Sequence, residues 1–202
     1  MLIDLTVVVL RWVQFGSAVV ALGLPLFQTY ASVAVSSPSG LRVATIAGLV
    51  LAVASALGLL AQTAMMAGGW EAVDAAAVVY VVQSMSLGTA HVVRAGLALL
   101  GTTVLLLGGG RRSAALVAAA LFAGATASFA WSGHGASSEG SAGLVHLMAD
   151  IVHALAAAVW LGALAGFFLL LLHRVRNDQA SARVLAGFVT IGTAAVAVLA
   201  FT

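Results

Sequence analysis

The sequence has no cysteine and no lysine, and only 7% of its 202 residues are charged. Soluble domains carry about a quarter charged residues, which solvate their surface. Because 63% of the residues are apolar, a soluble globular enzyme and a disordered chain are excluded, and the lack of cysteine excludes a disulfide-rich secreted domain. The isoelectric point near 9.9 reflects an excess of only two charges, so no nucleic-acid partner is expected. The remaining class is a multi-pass membrane protein, and we expect no enzymatic activity.

Long apolar runs are abundant, and six of them are long enough to cross a bilayer. A spanning helix needs about 20 mostly apolar residues, and lipid offers no hydrogen-bond partner to an unpaired peptide group, so these segments should be helices. The sequence therefore predicts an all-α, polytopic transmembrane helix bundle that forms a single domain over residues 1–202. The predicted spans are residues 5–28, 42–66, 88–107, 114–131, 144–172 and 184–202.

The arginines lie mainly on one side of this predicted bundle. Six of the eight fall at the linkers that follow the first, third and fifth spans, whereas the other linkers carry acidic residues and no arginine. The positive-inside rule makes the arginine-bearing side cytoplasmic, so both termini should face outward. The first span could instead be a cleaved signal peptide, but Asp4 and Arg11 disfavour that interpretation.

Histidine and methionine are concentrated on the predicted outward side. Imidazole and thioether are neutral ligands suited to Cu(I), and they fit an oxidising compartment in which thiolates would be oxidised. Cu(I) is therefore favoured over Cu(II). The alternative explanation is that methionine fills packing gaps and histidine caps helices. The candidate ligands are His91, His134, His146, His153, Met65, Met66, Met85 and Met148.

The fifth predicted span carries an unusual polar face. His146, Asp150 and His153 follow one another at spacings of four and three, which places them on one side of a helix, and Trp160 continues that face. A carboxylate beside a metal-binding imidazole can hold the ring in one tautomer. Since ionisable groups are costly against lipid, this face should look into the bundle or a wet cavity. A purely structural hydrogen-bonded cluster is the alternative.

Two further intramembrane charges need polar surroundings. Arg11 lies within the first span with Gln14 one turn later, and Arg94 follows His91 at a spacing of three. An arginine side chain keeps its charge, so each needs a carboxylate, a headgroup or water. Asp150 is a candidate partner for either arginine, and snorkelling to headgroups is the alternative for Arg11. We expect Arg11, Gln14 and Arg94, together with Trp160 of the fifth span, to form a polar wall of the site.

Three segments carry a family resemblance: Trp131-Ser-Gly-His134, Asp150-Ile-Val-His153 and Ala158-Val-Trp160-Leu-Gly162-Ala-Leu164. They resemble the copper-resistance D (CopD/PcoD) family of bacterial inner-membrane proteins. The resemblance implies copper transport or handling across the inner (plasma) membrane, with a CopC-like periplasmic copper-binding protein as a partner. It favours His134, Asp150 and His153 as site residues.

The sequence departs from the family pattern in two respects. Gln14 stands where the family leads us to expect histidine. Family members commonly have further spans, whereas this sequence ends within its sixth, so it is expected to be a short member or to lack C-terminal spans.

Two alternatives remain open from the sequence. A haem-b electron-transfer protein would use two helix histidines such as His91 and His153 as axial ligands, although only His173 is available for a second pair on the inner side. The other alternative is a membrane docking partner for a periplasmic copper chaperone, which would bind its partner without moving ions.

Overall fold

The computed structural model describes residues 2–30, 38–132, 140–172 and 178–202. In these ranges every regular element is a helix, which confirms the all-α prediction. Short 3₁₀ segments at Trp70–Ala72 and Ser128–Ser132 supplement the α-helices. The α-helices are α1 (Leu2–Tyr30), α2 (Pro38–Ala67), α3 (Ala75–Ser84), α4 (Ser86–Gly108), α5 (Arg112–Ala127), α6 (Gly140–Leu172) and α7 (Asp178–Phe201).

Five helices of the described chain are long and apolar enough to cross a membrane. They are α1, α2, α4, α6 and the 21-residue helix made by α5 and its 3₁₀ extension. The predicted helical membrane bundle is confirmed to this extent. The sixth predicted span, residues 184–202, falls on α7, whose described apolar stretch Ala186–Phe201 is shorter than 18 residues. A sixth span therefore stays a prediction.

Helix α3 lies in a linker for which hydropathy predicts no span. The Asp74 side chain accepts a hydrogen bond from the Ala77 backbone N–H at 2.7 Å, which is the usual way to satisfy a free donor at a helix start. Extended backbone at Met85 separates α3 from α4. The two helices then pack closely, since any side-chain carbon at Gly88 would collide with the Val81 carbonyl. With ten residues, α3 is too short to be recognised as a span.

The centre of the bundle is formed by α1, which packs against α2, α5 and α6. Its buried face consists largely of small residues such as Ala18 and Ala21. At the crossing with α6, the backbones at Gly23 and Gly162 approach so closely that a Cβ atom on either would overlap the other. Small residues allow such contact between membrane helices. This close packing fixes how α6 lies beside α1.

The buried side chains of Gln14, His91, Arg94 and Ser128 lie toward one end of the bundle, which we call the site end. It comprises the first half of α1, the second half of α2, the start of α4, the 3₁₀ extension of α5 and the first half of α6. The change from α-helix to 3₁₀-helix at Ser128 tightens the last turns of α5. That extension carries Ser128, Phe129 and Ser132 into the site.

Candidate functional site at one end of the bundle

Arg94 is the most buried large side chain at the site end, with only 1% of its surface exposed. Its Nη1 donates a hydrogen bond to Gln14 Oε1 at 2.8 Å and its Nε donates to Ser128 Oγ at 3.0 Å. A longer contact of 3.4 Å joins Nη2 to Ser132 Oγ. The guanidinium carbon also lies 3.7 Å from the centre of the Phe129 ring. Arg94 is thus held by neutral groups and an aromatic face.

His91 lies one helical turn before Arg94 and is also buried. Its Nδ1 is 2.9 Å from the Leu87 carbonyl oxygen. Because a carbonyl oxygen can only accept, this contact places the proton on Nδ1 and leaves Nε2 as the basic nitrogen. Gly58 of α2 makes room for this ring, since a Cβ there would lie 2.9 Å from Nε2.

Gln14 connects α1, α2 and α4. While its oxygen accepts from Arg94, its Nε2 donates to the Ala54 carbonyl at 2.9 Å. One amide therefore ties the arginine to α2 through both of its polar atoms. The family resemblance predicts a histidine at this position. Gln14 instead has a structural role as a hydrogen-bonding residue.

These residues enclose a small cavity, which we call the Arg94 cavity. Its volume is about 20 Å³, which is enough for one water molecule. Its polar lining comes from Arg11, Gln14, Gln62, His91, Arg94 and Ser132. The predicted polar wall of Arg11, Gln14 and Arg94 is thus brought together around one space.

A second and larger cavity, the His153 cavity, lies between α1, α5 and α6. Its volume is about 410 Å³. Asp150 and His153 of α6 line it together with Arg11, and most of the remaining wall is apolar. Two of the three polar residues on this face of α6 therefore line a cavity large enough for solvent or an ion.

The imidazole of His153 contacts Thr202, the residue that follows α7. Its Nδ1 lies 3.0 Å from Thr202 Oγ1, and that hydroxyl also contacts the Val198 carbonyl at 3.1 Å. Since the hydroxyl has one hydrogen and donates it to the carbonyl, its oxygen accepts from Nδ1–H. This arrangement leaves Nε2 of His153 as the nitrogen with a free lone pair, which is the form that binds a metal.

The two cavities share a wall made of Arg11 and Phe129. Phe129 stacks on Phe15 with ring centroids 4.2 Å apart, and its surface also carries the Arg94 guanidinium. Arg11 donates a 2.6 Å hydrogen bond to the Ser132 carbonyl. His91 and His153 therefore lie on different sides of an aromatic and cationic wall.

The other predicted ligands do not join these cavities. His146, Met65, Met66 and Met148 are exposed on their helices, and Met85 lies at the break between α3 and α4. Trp160 lies beside Gly192 of α7 rather than at the site end. His134 lies outside the described residues. Within the described ranges, no three His, Asp or Glu side chains converge in a way that could hold a metal ion.

Several contributors to the site were not among the sequence candidates, including Gly58, Gln62, Ser128, Phe129 and Ser132. The three on the 3₁₀ segment precede or belong to the Trp131-to-His134 motif, so that motif was an available signal. Gly58 had no such signal, because its role depends on the packing of α2 against α4.

The fold and the site together define a helical membrane protein with a polar, cavity-bearing end. The family model described as "Copper resistance protein D-like, N-terminal domain" matches residues 1–144. Over 204 aligned residues the chain is 32% identical to "Copper resistance protein D" of Pseudomonas syringae pv. tomato, an alignment that covers 94% of this chain and 65% of that relative.

The chain therefore belongs to the copper resistance protein D family, as the resemblance of its motifs predicts. Membership supports a copper-related function, and the long apolar helices agree with a multi-pass membrane protein. The chain spans less than two thirds of the length of the relative it matches. No solved structure matches it.

Proposed function

We propose that the protein binds copper in the His153 cavity and passes it across the bacterial inner membrane, with Asp150 and His153 as the entry ligands. The observation that carries this proposal is their joint position on the wall of one cavity of about 410 Å³. Family membership indicates that the metal is copper. The cavity provides a space in which a basic imidazole nitrogen and a carboxylate can both reach an ion.

The small ligand set suits an ion that is moving. Transport requires binding that is favourable enough for the ion to enter and weak enough for it to leave. An imidazole and a carboxylate meet this requirement better than a closed set of four ligands, which is typical of structural sites. Arg11 on the same wall repels a cation, which further limits how long copper stays.

The Arg94 cavity is a poorer copper site despite the basic nitrogen of His91. Two guanidinium groups line it and no carboxylate does so among the described residues. A cation in that space would face two like charges in surroundings of low dielectric constant, where repulsion is strong. For this reason the proposal assigns copper to the His153 cavity, and His91 to the polar wall.

Capture from the outward side completes the proposal. Exposed Met65, Met66 and Met148, with Met85, offer soft thioether ligands at the site end, and these favour Cu(I). His134 stays a predicted ligand of this surface. A CopC-like periplasmic protein would deliver copper here. Copper binding in the His153 cavity needs no haem, and His91 and His153 line separate cavities, so nothing in their placement supports an axial pair.

The decisive experiment compares two histidines of α6. The protein is purified in detergent without chelators, and copper and iron per chain are measured by elemental mass spectrometry for wild type, His153→Ala and His146→Ala. His146 is an exposed histidine about two turns earlier on the same helix, so it is the matched control. The expected result is stoichiometric copper that is lost in His153→Ala and largely retained in His146→Ala.

Other results have distinct meanings. Equal copper contents in wild type and His153→Ala would show that His153 is not a copper ligand. Stoichiometric iron with a haem absorption band would indicate a haem electron-transfer protein instead of a copper-binding protein. If the site is supported, uptake of copper by cells with and without His153→Ala then distinguishes transport from docking, because a docking protein would show partner binding without flux.

A further inference from the structure

The two arginines at the site end lack an acidic counterpart in the cavity that they share. Arg11 and Arg94 both line the Arg94 cavity, and none of its lining residues is Asp or Glu. Asp150 lies on the other side of the shared wall, in the His153 cavity. The cavity is therefore positive within the part of the chain that the structure describes.

The two guanidinium groups are held close to each other by one residue. Arg11 Nη2 donates to the Ser132 carbonyl at 2.6 Å, and Arg94 Nη2 contacts the Ser132 hydroxyl at 3.4 Å. Arg11 is exposed, but Arg94 is almost fully buried. A buried charge beside a like charge is costly unless negative charge or hydrogen bonds compensate for it.

The hydrogen bonding of Arg94 is incomplete. A guanidinium has five N–H groups, and the described residues accept from three of them, one on each nitrogen. Within the described residues, one N–H on Nη1 and one on Nη2 have no acceptor. With Arg94 almost fully buried, these donors need an acceptor in the cavity.

We propose that the Arg94 cavity binds a small monovalent anion of halide size between Arg11 and Arg94. The anion would accept hydrogen bonds from the free N–H groups and balance part of the paired positive charge. The volume of about 20 Å³ accommodates one particle of about the size of water. A small anion is preferred to phosphate or sulfate, because the space is only large enough for about one water-sized particle. This site is separate from the proposed copper site, and its occupancy does not require copper.

The test measures equilibrium binding of radioactive chloride to the full chain in detergent, with gluconate as the replacement anion and a chelator to keep the protein metal-free. Chloride should bind saturably to wild type, and unlabelled bromide should compete whereas phosphate should not. Arg11→Gln should weaken binding by about ten- to hundredfold, because a hydrogen bond from a charged donor is lost. Arg11→Lys, which keeps the charge, should retain part of the affinity.

Arg42→Gln is the matched control, because Arg42 is an exposed arginine at the opposite end of the bundle and should leave binding unchanged. Arg94→Gln should weaken binding at least as strongly as Arg11→Gln does, and Arg11→Gln keeps the test decisive if the Arg94 variant does not fold. The proposal is overturned if folded, monodisperse wild type binds no chloride saturably. Equal affinity of wild type and Arg11→Gln, or competition by phosphate, would likewise overturn it.

Discussion

At the scale of single residues, Arg94 illustrates how a permanent charge is accommodated inside an apolar bundle. Its three hydrogen bonds use neutral acceptors from α1 and from the end of α5, and the flat guanidinium lies against Phe129. A lysine ammonium keeps the charge but lacks the planar fork and the stacking surface. The arginine is therefore required for its shape as much as for its charge.

We expect Arg94→Lys to lower the free energy of unfolding by about 2–3 kcal/mol, because at least one charged hydrogen bond and the cation–π contact are lost. Reversible unfolding in mixed detergent micelles measures this change. Arg42→Lys, at an exposed position, should stay within about 0.5 kcal/mol of wild type. Equal stability of the two variants would show that the network around Arg94 contributes nothing specific.

Asp150 allows a prediction about affinity rather than stability. Its carboxylate lines the His153 cavity from an exposed position on α6, so Asp150→Asn should fold normally. If the proposed site is correct, copper binding should weaken by at least about tenfold, because one of the two proposed ligands is lost and even a supporting group beside a ligand contributes that much. Competition with a copper chelator of known affinity gives the constant.

The control for Asp150→Asn is Glu71→Gln, which removes one exposed negative charge near the same end of the bundle. It should leave the copper affinity unchanged. A similar loss in both variants would indicate that overall charge, and not Asp150, sets the affinity.

At the scale of the elements, the position of α6 depends on its crossing with α1. The backbones meet at Gly23 and Gly162, where a Cβ at residue 162 would overlap the α1 backbone. Asp150 and His153 lie on the same helix, some two to three turns before this crossing. The contact between two glycines therefore controls where the proposed ligands lie relative to Arg11.

Gly162→Ala should lower the free energy of unfolding by about 1–3 kcal/mol, because backbone atoms cannot give way as flexible side chains can. Gly96→Ala is the matched control, since a Cβ at residue 96 of α4 meets no atom within 4 Å. It should be neutral or stabilising by about 0.5–1 kcal/mol, the usual difference between the two residues within a helix. Unfolding of both variants in the same detergent provides the comparison, and equal values would argue against a close α1–α6 contact.

At the scale of the whole molecule, the charge distribution predicts an orientation in the membrane. Arg42, Arg111 and Arg112 lie at the end of the bundle opposite the site end. The positive-inside rule predicts that this end faces the cytoplasm, so the two cavities should open toward the periplasm. The chain contains no cysteine, and single introduced cysteines can therefore be labelled without background.

Ser84→Cys, at the end of α3, should react with an impermeant maleimide added to intact spheroplasts. Ser113→Cys, next to the arginine pair at the start of α5, should react only after the membrane is opened. Both serines are exposed, so differences in labelling report the side of the membrane. The reverse pattern would place the cavities in the cytoplasm and invert the direction from which copper is proposed to enter.

Much of the fold was predictable because hydropathy reports directly on the cost of placing side chains in lipid. The five long helices lie close to their predicted spans, and the family motifs were recognisable from Trp131 to Leu164. Helix α3 escaped prediction because ten residues give too little hydropathy signal. The 3₁₀ extension of α5 escaped as well, since a change of helix type leaves no mark on composition.

The sequence by itself determined the class of the molecule, its family and the shared helical face of Asp150 and His153, because these depend on composition and on spacing within one segment. The tertiary structure decided which charges meet. It separated Asp150 from Arg94 and gave the arginine Gln14 and Ser128 as partners, and it placed His91 and His153 in different cavities. Contacts between helices depend on how side chains and glycines fit at each crossing, and that fit arises only when the helices pack.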